Sequence, residues 1–442
     1  MVLSEKAKVF YIAAVSLVAA GAFALISSSM AGFDPAQYDR LGLNLASGNG
    51  FSLEEKPPYS PTMFREPMYA AFIALIYRIF GHNVKLVVFS QILLHCLTAL
   101  TLYAIAKTVF SGRTAFASGI LAAVFPTLAN TSSYLMSETF FAFLLCLGAY
   151  LLMRSFFVAA GLIFGMLILT KTAALALPIF LAAALIAAGL KRRVRFGRLL
   201  LGSASFIIAC FIVVSLWSAR NKDLFGTYSL TLRGGDVIWS RAEKLDDPPR
   251  EVLATAVYSF SEYLGAGLFP DMAARFNRYL YKDLDRASVL EDRLAKEGMP
   301  RHEIDALLKK EAICRISAHP FRYLAYTPVE AIKMTAFSYL PFLNEERVAS
   351  YFASITHGGP MLSALKGGLR FLAYPVILLS LFGMARSLDI WDRWILLFVV
   401  ILYFNVAYSL LDAIGRYAVP LIPFYCLFAA SAFRNASRGR AA

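Results

Sequence analysis

The stretch VFYIAAVSLVAAGAFALISSSMAGFDPAQYDR, from Val9 to Arg40, joins a long apolar run directly to a polar segment. The run from Val9 to Ala31 is long enough to cross a bilayer and too long for the core of a signal peptide, and residues 27–31 form a weak cleavage site. We therefore expect a retained first transmembrane helix. Asp34 follows at the membrane edge, where a carboxylate can stay ionised.

The composition sets the class of protein. Of 442 residues, 59% are hydrophobic and 16% are charged, and the mean hydropathy is +0.61. These values are too apolar for a soluble protein, so we predict an all-α polytopic membrane protein. The net charge of +14 does not indicate nucleic acid, because the basic residues lie in short loops between apolar runs.

Basic residues therefore report topology. Those that mark the cytoplasmic side are Lys6, Lys8, Lys107, Arg113, Lys191, Arg192, Arg193, Arg195, Arg198, Arg386, Arg393, Arg434, Arg438 and Arg440. The predicted spans are residues 9–31, 84–106, 114–130, 138–156, 157–171, 173–190, 199–219, 365–385, 393–411 and 417–433. With the N-terminus inside, both large loops lie on the extracytoplasmic face, which in a bacterial inner membrane is the periplasmic side.

The helix predicted over 323–343 decides between ten and eleven spans. It is apolar but carries Pro328, Glu330 and Lys333. If it spans, the basic C-terminal residues land outside, against the positive-inside rule. We therefore predict a partly embedded helix and a bundle of about ten transmembrane helices, with eleven as the alternative.

Three regions follow from this pattern. Residues 1–219 form an N-terminal transmembrane module whose first loop, 32–83, includes a short apolar stretch, 68–80, that fits an interfacial helix. Residues 220–360 form an extracytoplasmic helical loop ending in the partly embedded helix. In this loop apolar residues at helical spacing are interrupted at residues 298–300. Residues 361–442 form the C-terminal transmembrane helices.

The first loop carries candidate catalytic residues. Asp34 and Tyr38 are four residues apart, so both point the same way if a helix begins at Pro35. Asp34 then forms half of an active site. The alternative is that Asp34 is only the N-cap of that helix.

Three motifs of this loop carry a resemblance to a known group. They are Asp34-x-x-x-Tyr38, Leu45-Ala-Ser-Gly-Asn-Gly-Phe51 and Arg65-x-Pro67-x-Tyr69. The pattern resembles the GT-C superfamily of polytopic glycosyltransferases that use polyprenyl-phosphate sugars, namely the protein O-mannosyltransferase-like and lipid A aminoarabinose transferase-like enzymes. The resemblance implies a GT-C-type bundle with two large extracytoplasmic loops, and it implies that Asp34 is the catalytic base. Pro35 and Ala70 differ from many relatives, so the match is to the broad group.

Three cations are candidate ligands for the donor phosphate. Lys171 follows Leu-Thr in an apolar hairpin, Arg220 lies in Trp217-x-x-Arg-Asn221 before Phe225-Gly226, and Arg416-Tyr417 precedes Pro420 and Pro423. The last two patterns resemble motifs of the same group. An arginine fork fits a phosphate, and a lone cation in an apolar setting needs an anion or a polar cavity. The alternatives are a snorkelling lysine, an aromatic-belt anchor and a helix-start interface residue.

Acceptor or supporting roles fall to a second set of residues, which comprises Tyr38, Arg65, Tyr69, Glu138, Asn221 and Tyr417. Glu138 follows Ser137 at the start of a predicted span. Its carboxylate either orients the acceptor or a metal, or only interacts favourably with the positive N-terminal end of the helix dipole. Glu66 is expected to pair with Arg65.

Metal-ligand and disulfide patterns are not evident in the sequence. His82, His95, His302, His319 and His357 are scattered, and four cysteines lie in apolar runs while Cys314 stands alone in a polar segment. No cofactor is predicted, although a divalent ion bound by carboxylates stays open.

These features lead to a hypothesis of glycosyl transfer with inversion. A carboxylate removes the proton of the acceptor while cations stabilise the departing lipid phosphate. The donor is a polyprenyl-phosphate sugar and the acceptor is a lipid, a glycan or a protein. The alternatives are a transporter or lipid flippase, which ten spans alone allow, and an assembly subunit without activity. Against a transporter, the ionisable candidates cluster at one face and not at the bilayer midplane.

Overall fold

The computed structural model describes residues 3–27, 29–30, 33–272, 282–335 and 359–434, and within these ranges the elements are helical. The helices are α1 (Glu5–Ile26), α2 (Phe33–Ala46), α3 (Pro67–Phe80), α4 (Val84–Val109), α5 (Gly112–Val124), α6 (Pro126–Thr131), α7 (Ser137–Met153), α8 (Phe157–Ile168), α9 (Leu177–Lys191), α10 (Phe196–Phe225), α11 (Gly234–Glu243), α12 (Pro249–Phe260), α13 (Glu262–Leu268), α14 (Lys282–Lys296), α15 (Arg301–Ala318), α16 (Pro320–Thr335), α17 (Gly359–Ala385), α18 (Trp391–Leu410) and α19 (Ile422–Ser431). A 3₁₀ helix, Gly415–Leu421, leads into α19. The predicted all-α class is confirmed.

Several of these helices are long and apolar enough to cross a membrane. Among the described residues, five helices have the length and apolarity to cross a bilayer: Glu5–Ile26, Val84–Val109, Thr172–Lys191, Phe196–Phe225 and Leu388–Leu410. Five shorter helices are also apolar: Pro67–Phe80, Gly112–Val124, Ser137–Met153, Phe157–Ile168 and Ala373–Ala385. A helix satisfies its own backbone hydrogen bonds, which is what a chain in lipid requires. The protein is therefore an integral membrane protein.

Small residues allow close packing of these helices. A methyl group added at Gly161 of α8 would overlap the backbone carbonyl of Phe206 in α10, and one added at Gly383 of α17 would overlap the carbonyl of Phe428 in α19. Helix pairs in membranes gain much of their stability from such close van der Waals contact. These two glycines thus fix helix pairs on opposite halves of the sequence.

One end of the bundle is held by ion pairs between helix termini. The start of α1 meets the end of α4 through Glu5 and Lys107, and the end of α9 meets the start of α18 through Arg192 and Asp392. This is the end predicted to be cytoplasmic. Arg434 pairs with Asp389 there, whereas Arg438 and Arg440 lie outside the described residues.

The first loop forms a helical hairpin of α2 and α3. Gly42 of α2 faces Ile73 of α3 with no room for a side chain between them. The predicted short helix over 68–80 exists as α3, and its location at the membrane interface stays a prediction. The hairpin carries Asp34 at its beginning.

The long insert after α10 has its own small core. Its buried apolar residues are Trp239, Ala242, Leu294, Ile304, Leu308 and Ala312. The predicted break falls between α14 and α15, where Gly298 has a φ of 88°, a left-handed conformation that glycine adopts without strain. Helix α16 buries Glu330 and Lys333. The remainder of the helix predicted over 323–343, from residue 336, lies outside the described residues.

Candidate functional site

Five charged side chains converge at the end of the bundle opposite the basic helix termini. Asp34 lies in the first turn of α2, Arg65 just before α3, Glu138 at the start of α7, Lys171 three residues after the end of α8, and Arg416 in the 3₁₀ helix before α19. These positions are far apart in the sequence. The fold brings them together because each lies where a helix begins or ends at the same face.

Asp34 is shared by two arginines. Its Oδ2 accepts a hydrogen bond of 2.6 Å from Nη1 of Arg416, and its Oδ1 accepts from Nη2 of Arg65. Arg65 also donates from Nε to Gln37 Oε1 at 2.8 Å, so its guanidinium group is fixed by two partners. Both oxygens of Asp34 are thus engaged by side chains, and the N-cap alternative does not describe this contact pattern.

Glu138 and Lys171 form a second ion pair beside the first. Lys171 Nζ donates to Glu138 Oε1 at 2.9 Å, and the same oxygen lies 3.7 Å from Nε of Arg416. Arg416 therefore lies between both carboxylates. The other oxygen of Glu138 is buried and has no hydrogen-bond partner within the described part of the chain. Lys171 also lies over the ring of Tyr417, 5.2 Å from its centroid.

The electrostatics of Asp34 favour the carboxylate ion. Burial raises the pKa of Asp34, but Arg416, Arg65 and Arg233 together outweigh burial and hold that pKa well below its ordinary value. Arg233 was not singled out from the sequence. It is half-buried and its Nε lies 3.8 Å from Oδ2 of Asp236, so it adds positive potential without a direct bond to Asp34.

Aromatic residues support this cluster from the membrane side. The ring of Tyr38 packs edge-on against Tyr69 at 4.7 Å between centroids, and Arg65 lies 5.2 Å over the Tyr38 ring. Tyr69 donates its hydroxyl to Gln91 Oε1 at 2.6 Å. Burial raises the pKa of Tyr38 to about 12, so it is neutral. On the other side Tyr417 stacks on Tyr408 at 4.4 Å.

Arg220 lies outside the cluster. It donates from Nη1 to the backbone oxygen of Thr62 at 3.1 Å and to Asn221 Oδ1 at 2.8 Å, and it stacks over Trp217 at 4.4 Å. Asn221 in turn donates to the backbone oxygen of Ser229 at 2.8 Å. The Trp-x-x-Arg-Asn motif therefore ties α10 to the first loop and to the turn that follows α10.

Glu66 does not pair with Arg65, so that expectation was wrong. Arg65 turns to Asp34 and Gln37, and Glu66 Oε1 instead accepts from the backbone N–H of Thr172 at 3.1 Å and from its hydroxyl at 3.0 Å. This contact holds the turn that presents Lys171 against the first loop. Glu66 thus supports the cluster indirectly, through the turn that carries Lys171.

A cleft of about 290 Å³ lies next to the cluster. It is lined by Phe64, Leu232, Glu291, Ala295, Arg301 and Ile304. Burial and the nearby Asp236 raise the pKa of Glu291 to about 7. The cleft separates the first loop, where Phe64 neighbours Arg65, from helices α14 and α15 of the long insert.

The described residues contain no group of three or more histidine, cysteine or acidic side chains placed to hold a metal ion. The two carboxylates of the cluster are each held by cations, Asp34 by two arginines and Glu138 by Lys171. A divalent ion would have to displace these partners. The arrangement suits an anion beside the cations.

Comparison with known proteins gives a consistent picture of the fold. The family model of dolichyl-phosphate-mannose-protein mannosyltransferases matches residues 58–217. The oligosaccharyltransferase AglB from Archaeoglobus fulgidus, solved with an inhibitory peptide and a dolichol-phosphate, is 14% identical with a TM-score of 0.51, and the match covers 95% of this chain and 50% of AglB. The same enzyme tethered to an acceptor peptide is 15% identical with the same TM-score, over 95% of this chain and 49% of the other.

A third structure is ArnT from Cupriavidus metallidurans bound to undecaprenyl phosphate, 14% identical with a TM-score of 0.41 over 96% of this chain and 78% of ArnT. This chain spans about half the length of AglB. No curated protein sequence matches it at a significant level.

The structural matches define the fold. The chain is an all-α polytopic membrane protein with the fold of AglB. Residues 58–217, which include the Arg65-x-Pro67-x-Tyr69 motif of the first loop, are similar to the mannosyltransferase family model.

Proposed function

We propose that the protein transfers a sugar from a polyprenyl-phosphate donor to an acceptor, with inversion, at the cluster around Asp34. The observation that carries this proposal is the Asp34 carboxylate bound by Arg65 and Arg416, with Lys171 beside it. A base and an excess of cations lie side by side, as displacement of a phosphate requires. The acceptor hydroxyl or amine attacks the anomeric carbon, the bond from that carbon to the phosphate oxygen breaks, and the proton goes to Asp34.

The cations serve the leaving group. Among the residues that the structure describes, three cations of the cluster, Arg65, Lys171 and Arg416, face two carboxylates, Asp34 and Glu138, an excess of one positive charge. A departing lipid phosphate supplies the missing negative charge, and fixed donors stabilise it without reorganisation. Arg416 takes the central position because it lies next to both carboxylates. The relative AglB was solved with a dolichol-phosphate, which supports a lipid phosphate as the ligand class.

Donor binding also activates the base in this scheme. In the structure described here Asp34 is held ionised by two arginines, and a carboxylate so stabilised is a weak proton acceptor. When a phosphate draws Arg416 toward itself, one of these two partners is lost and the basicity of Asp34 rises. The base thus becomes competent when the donor is in place.

The remaining predicted residues receive supporting roles. Tyr38 and Tyr69 pack behind Arg65, Tyr417 lies under Lys171, and Asn221 fixes the turn beyond α10. Arg220, predicted as a phosphate ligand, is engaged with Thr62 in this state. We assign it the role of holding the first loop and, after exchange of that bond, of reaching the phosphate. The acceptor, whether lipid, glycan or protein, approaches along the cleft beside Phe64.

We place this reaction on the extracytoplasmic face. The cluster lies at the end of the bundle opposite the basic termini of α4, α9 and α17, and basic helix ends favour the cytoplasm. In a bacterial inner membrane the site then faces the periplasm.

The release of free polyprenyl phosphate tests this function without knowledge of the sugar or the acceptor. Purified protein is incubated with a panel of polyprenyl-phosphate hexoses and pentoses and an extract of native membranes, and the released lipid phosphate is measured. We expect release with at least one donor, and none after Asp34→Asn. If no donor is consumed while the protein in liposomes moves a labelled polyprenyl phosphate between leaflets, the flippase alternative replaces the proposal.

A further inference from the structure

A second charge cluster lies next to the first and is built differently. It contains Lys244 directly after α11, Glu330 and Lys333 on α16, and Asp412 in the connector between α18 and the last 3₁₀ helix. Lys244 donates to Glu330 Oε1 at 3.0 Å and to Asp412, and Lys333 lies 3.1 Å from each of the same two carboxylates. Two cations and two carboxylates thus form a closed, neutral set.

This buried quartet is almost without contact with solvent. The exposed fraction of the side chains is 2% for Lys244, 0% for Glu330, 4% for Lys333 and 7% for Asp412. Burying four charges is expensive, and replacing a buried ion pair with apolar residues is often neutral or stabilising. Stability alone therefore does not explain the quartet. Because it is saturated and neutral, it does not suit a ligand either.

What the quartet does hold is the backbone of the connector. Glu330 Oε2 accepts from the backbone N–H of Ala413 at 2.8 Å, and the hydroxyl of Tyr323, on the same helix, donates to the backbone oxygen of Leu410. Arg416 follows Ala413 by three residues, and the stacked rings of Tyr408 and Tyr417 close the connector at its base. The path from Glu330 to Arg416 is therefore short and stiff.

We propose that the Lys244–Glu330–Lys333–Asp412 quartet is a positioning device that docks the long insert onto the connector and so sets the place of Arg416 for the donor phosphate. The proposal rests on the function assigned above. It makes Glu330 and Asp412 positioning residues, since neither touches the cluster around Asp34. The insert, which differs in composition from the bundle, thereby controls the affinity of the site for its lipid phosphate.

The test measures binding of farnesyl phosphate, a soluble isoprenyl phosphate, to the full-length protein in detergent by calorimetry. Two variants disturb the quartet: Glu330→Gln, and the charge-balanced pair Glu330→Gln with Lys333→Met, which keeps the set neutral and guards against misfolding. Both are expected to weaken binding roughly tenfold, because a misplaced Arg416 reaches the phosphate poorly. In a protein that already carries Arg416→Lys, the same changes should weaken binding of farnesyl phosphate little further, because they act through Arg416.

The matched control is Asp305→Asn. Asp305 is a buried carboxylate of the same insert that binds the backbone N–H of Gly235 and Lys309 and makes no bond to the connector. It should leave binding unchanged. Three results would each overturn the proposal. Asp305→Asn weakens binding as much as the quartet variants do, the losses of binding from the quartet variants and from Arg416→Lys add in full, or the charge-balanced pair binds normally.

Hydrogen exchange of residues 408–417 separates this inference from the proposed function. The charge-balanced pair should speed exchange at Ala413 and its neighbours, whereas Asp305→Asn should not. If Arg416→Ala binds farnesyl phosphate normally, the phosphate role of Arg416 fails, and the exchange result still decides whether the quartet holds the connector. Unchanged exchange in the charge-balanced pair counts against the quartet whatever the binding data show.

Discussion

The two charge clusters differ in balance, although the short segment from Leu411 to Arg416 joins them. Within the described residues, the site around Asp34 has three cations for two carboxylates, and Glu138 keeps a buried oxygen without a partner. The quartet around Glu330 has two of each and satisfies a backbone N–H besides. An unbalanced cluster has capacity for a further anion, whereas a balanced one has none.

Exposure differs for part of the site. The side chains of Asp34, Lys171 and Arg416 retain between 15% and 17% of their accessible surface, which leaves an approach for a ligand, whereas Arg65 and Glu138 retain 4% and 2%. Each side chain of the quartet retains 7% or less. The comparison teaches that a group of ionisable residues in a membrane protein indicates a binding site only when its charges and hydrogen bonds are left incomplete.

The largest expected difference between the clusters is in stability. Lys244→Met leaves one lysine for two buried carboxylates and should lower the free energy of unfolding by about 3–5 kcal/mol. Lys171→Met leaves two cations for two carboxylates in the site, with Arg416 still 3.7 Å from Glu138, and should cost about 1–3 kcal/mol. Unfolding of both variants in mixed detergent micelles with denaturant gives the two values. Equal costs would show that charge balance does not distinguish the clusters.

The next effect is on catalysis. Asp34→Asn keeps the shape of the side chain but removes the proton acceptor, so transfer should fall by roughly 10²-fold or more while the protein still folds. Asp39→Asn is the matched control, because Asp39 lies on the same helix but bonds to Tyr77 and His82, away from the site. Activity is measured as released polyprenyl phosphate. If Asp39→Asn abolishes activity and Asp34→Asn keeps it, Asp39 and not Asp34 is the base.

The smallest effect is a shift in pH dependence. Arg416 helps hold the pKa of Asp34 low, so Asp34 stays ionised, and kcat/KM should show no loss from its protonation down to about pH 5. Removing Arg416 leaves burial, which raises the pKa, opposed mainly by Arg65. In Arg416→Ala the acid limb should therefore move to higher pH. Arg220→Ala removes no contact to Asp34 and should leave the acid limb in place. If both variants show the same shift, the charge of Arg416 on Asp34 is not its cause.

Much of the fold followed from the sequence because lipid imposes a simple rule. Long apolar runs become helices, and polar segments lie at their ends, so α1, α4, α10 and α18 were predictable within a few residues. The break at Gly298 followed from turn chemistry. Such features depend on residues close together in the sequence.

The site was only partly predictable for the opposite reason. Asp34, Glu138, Lys171 and Arg416 were named individually, but their pairing depends on which helix ends are adjacent, and no local pattern encodes that. Glu66 shows the limit, since it was expected to pair with its neighbour Arg65 and contacts the distant backbone of Thr172 instead. The bond from Arg220 to the backbone of Thr62 was likewise not predictable, and the phosphate role of Arg220 stays a prediction. The quartet was missed for the same reason, and its one signal was a glutamate and a lysine three residues apart in an apolar helix.

The bond between Asp34 and Arg416 has a consequence for how the protein is made. Its two residues are 382 positions apart in the chain. At the usual pace of synthesis the ribosome needs roughly 20 to 80 s to travel that distance. During this interval Asp34 exists without Arg416, so the ion pair forms only after the last part of the chain has been synthesised. Under the proposed function, an unfinished copy therefore lacks the central cation of the site.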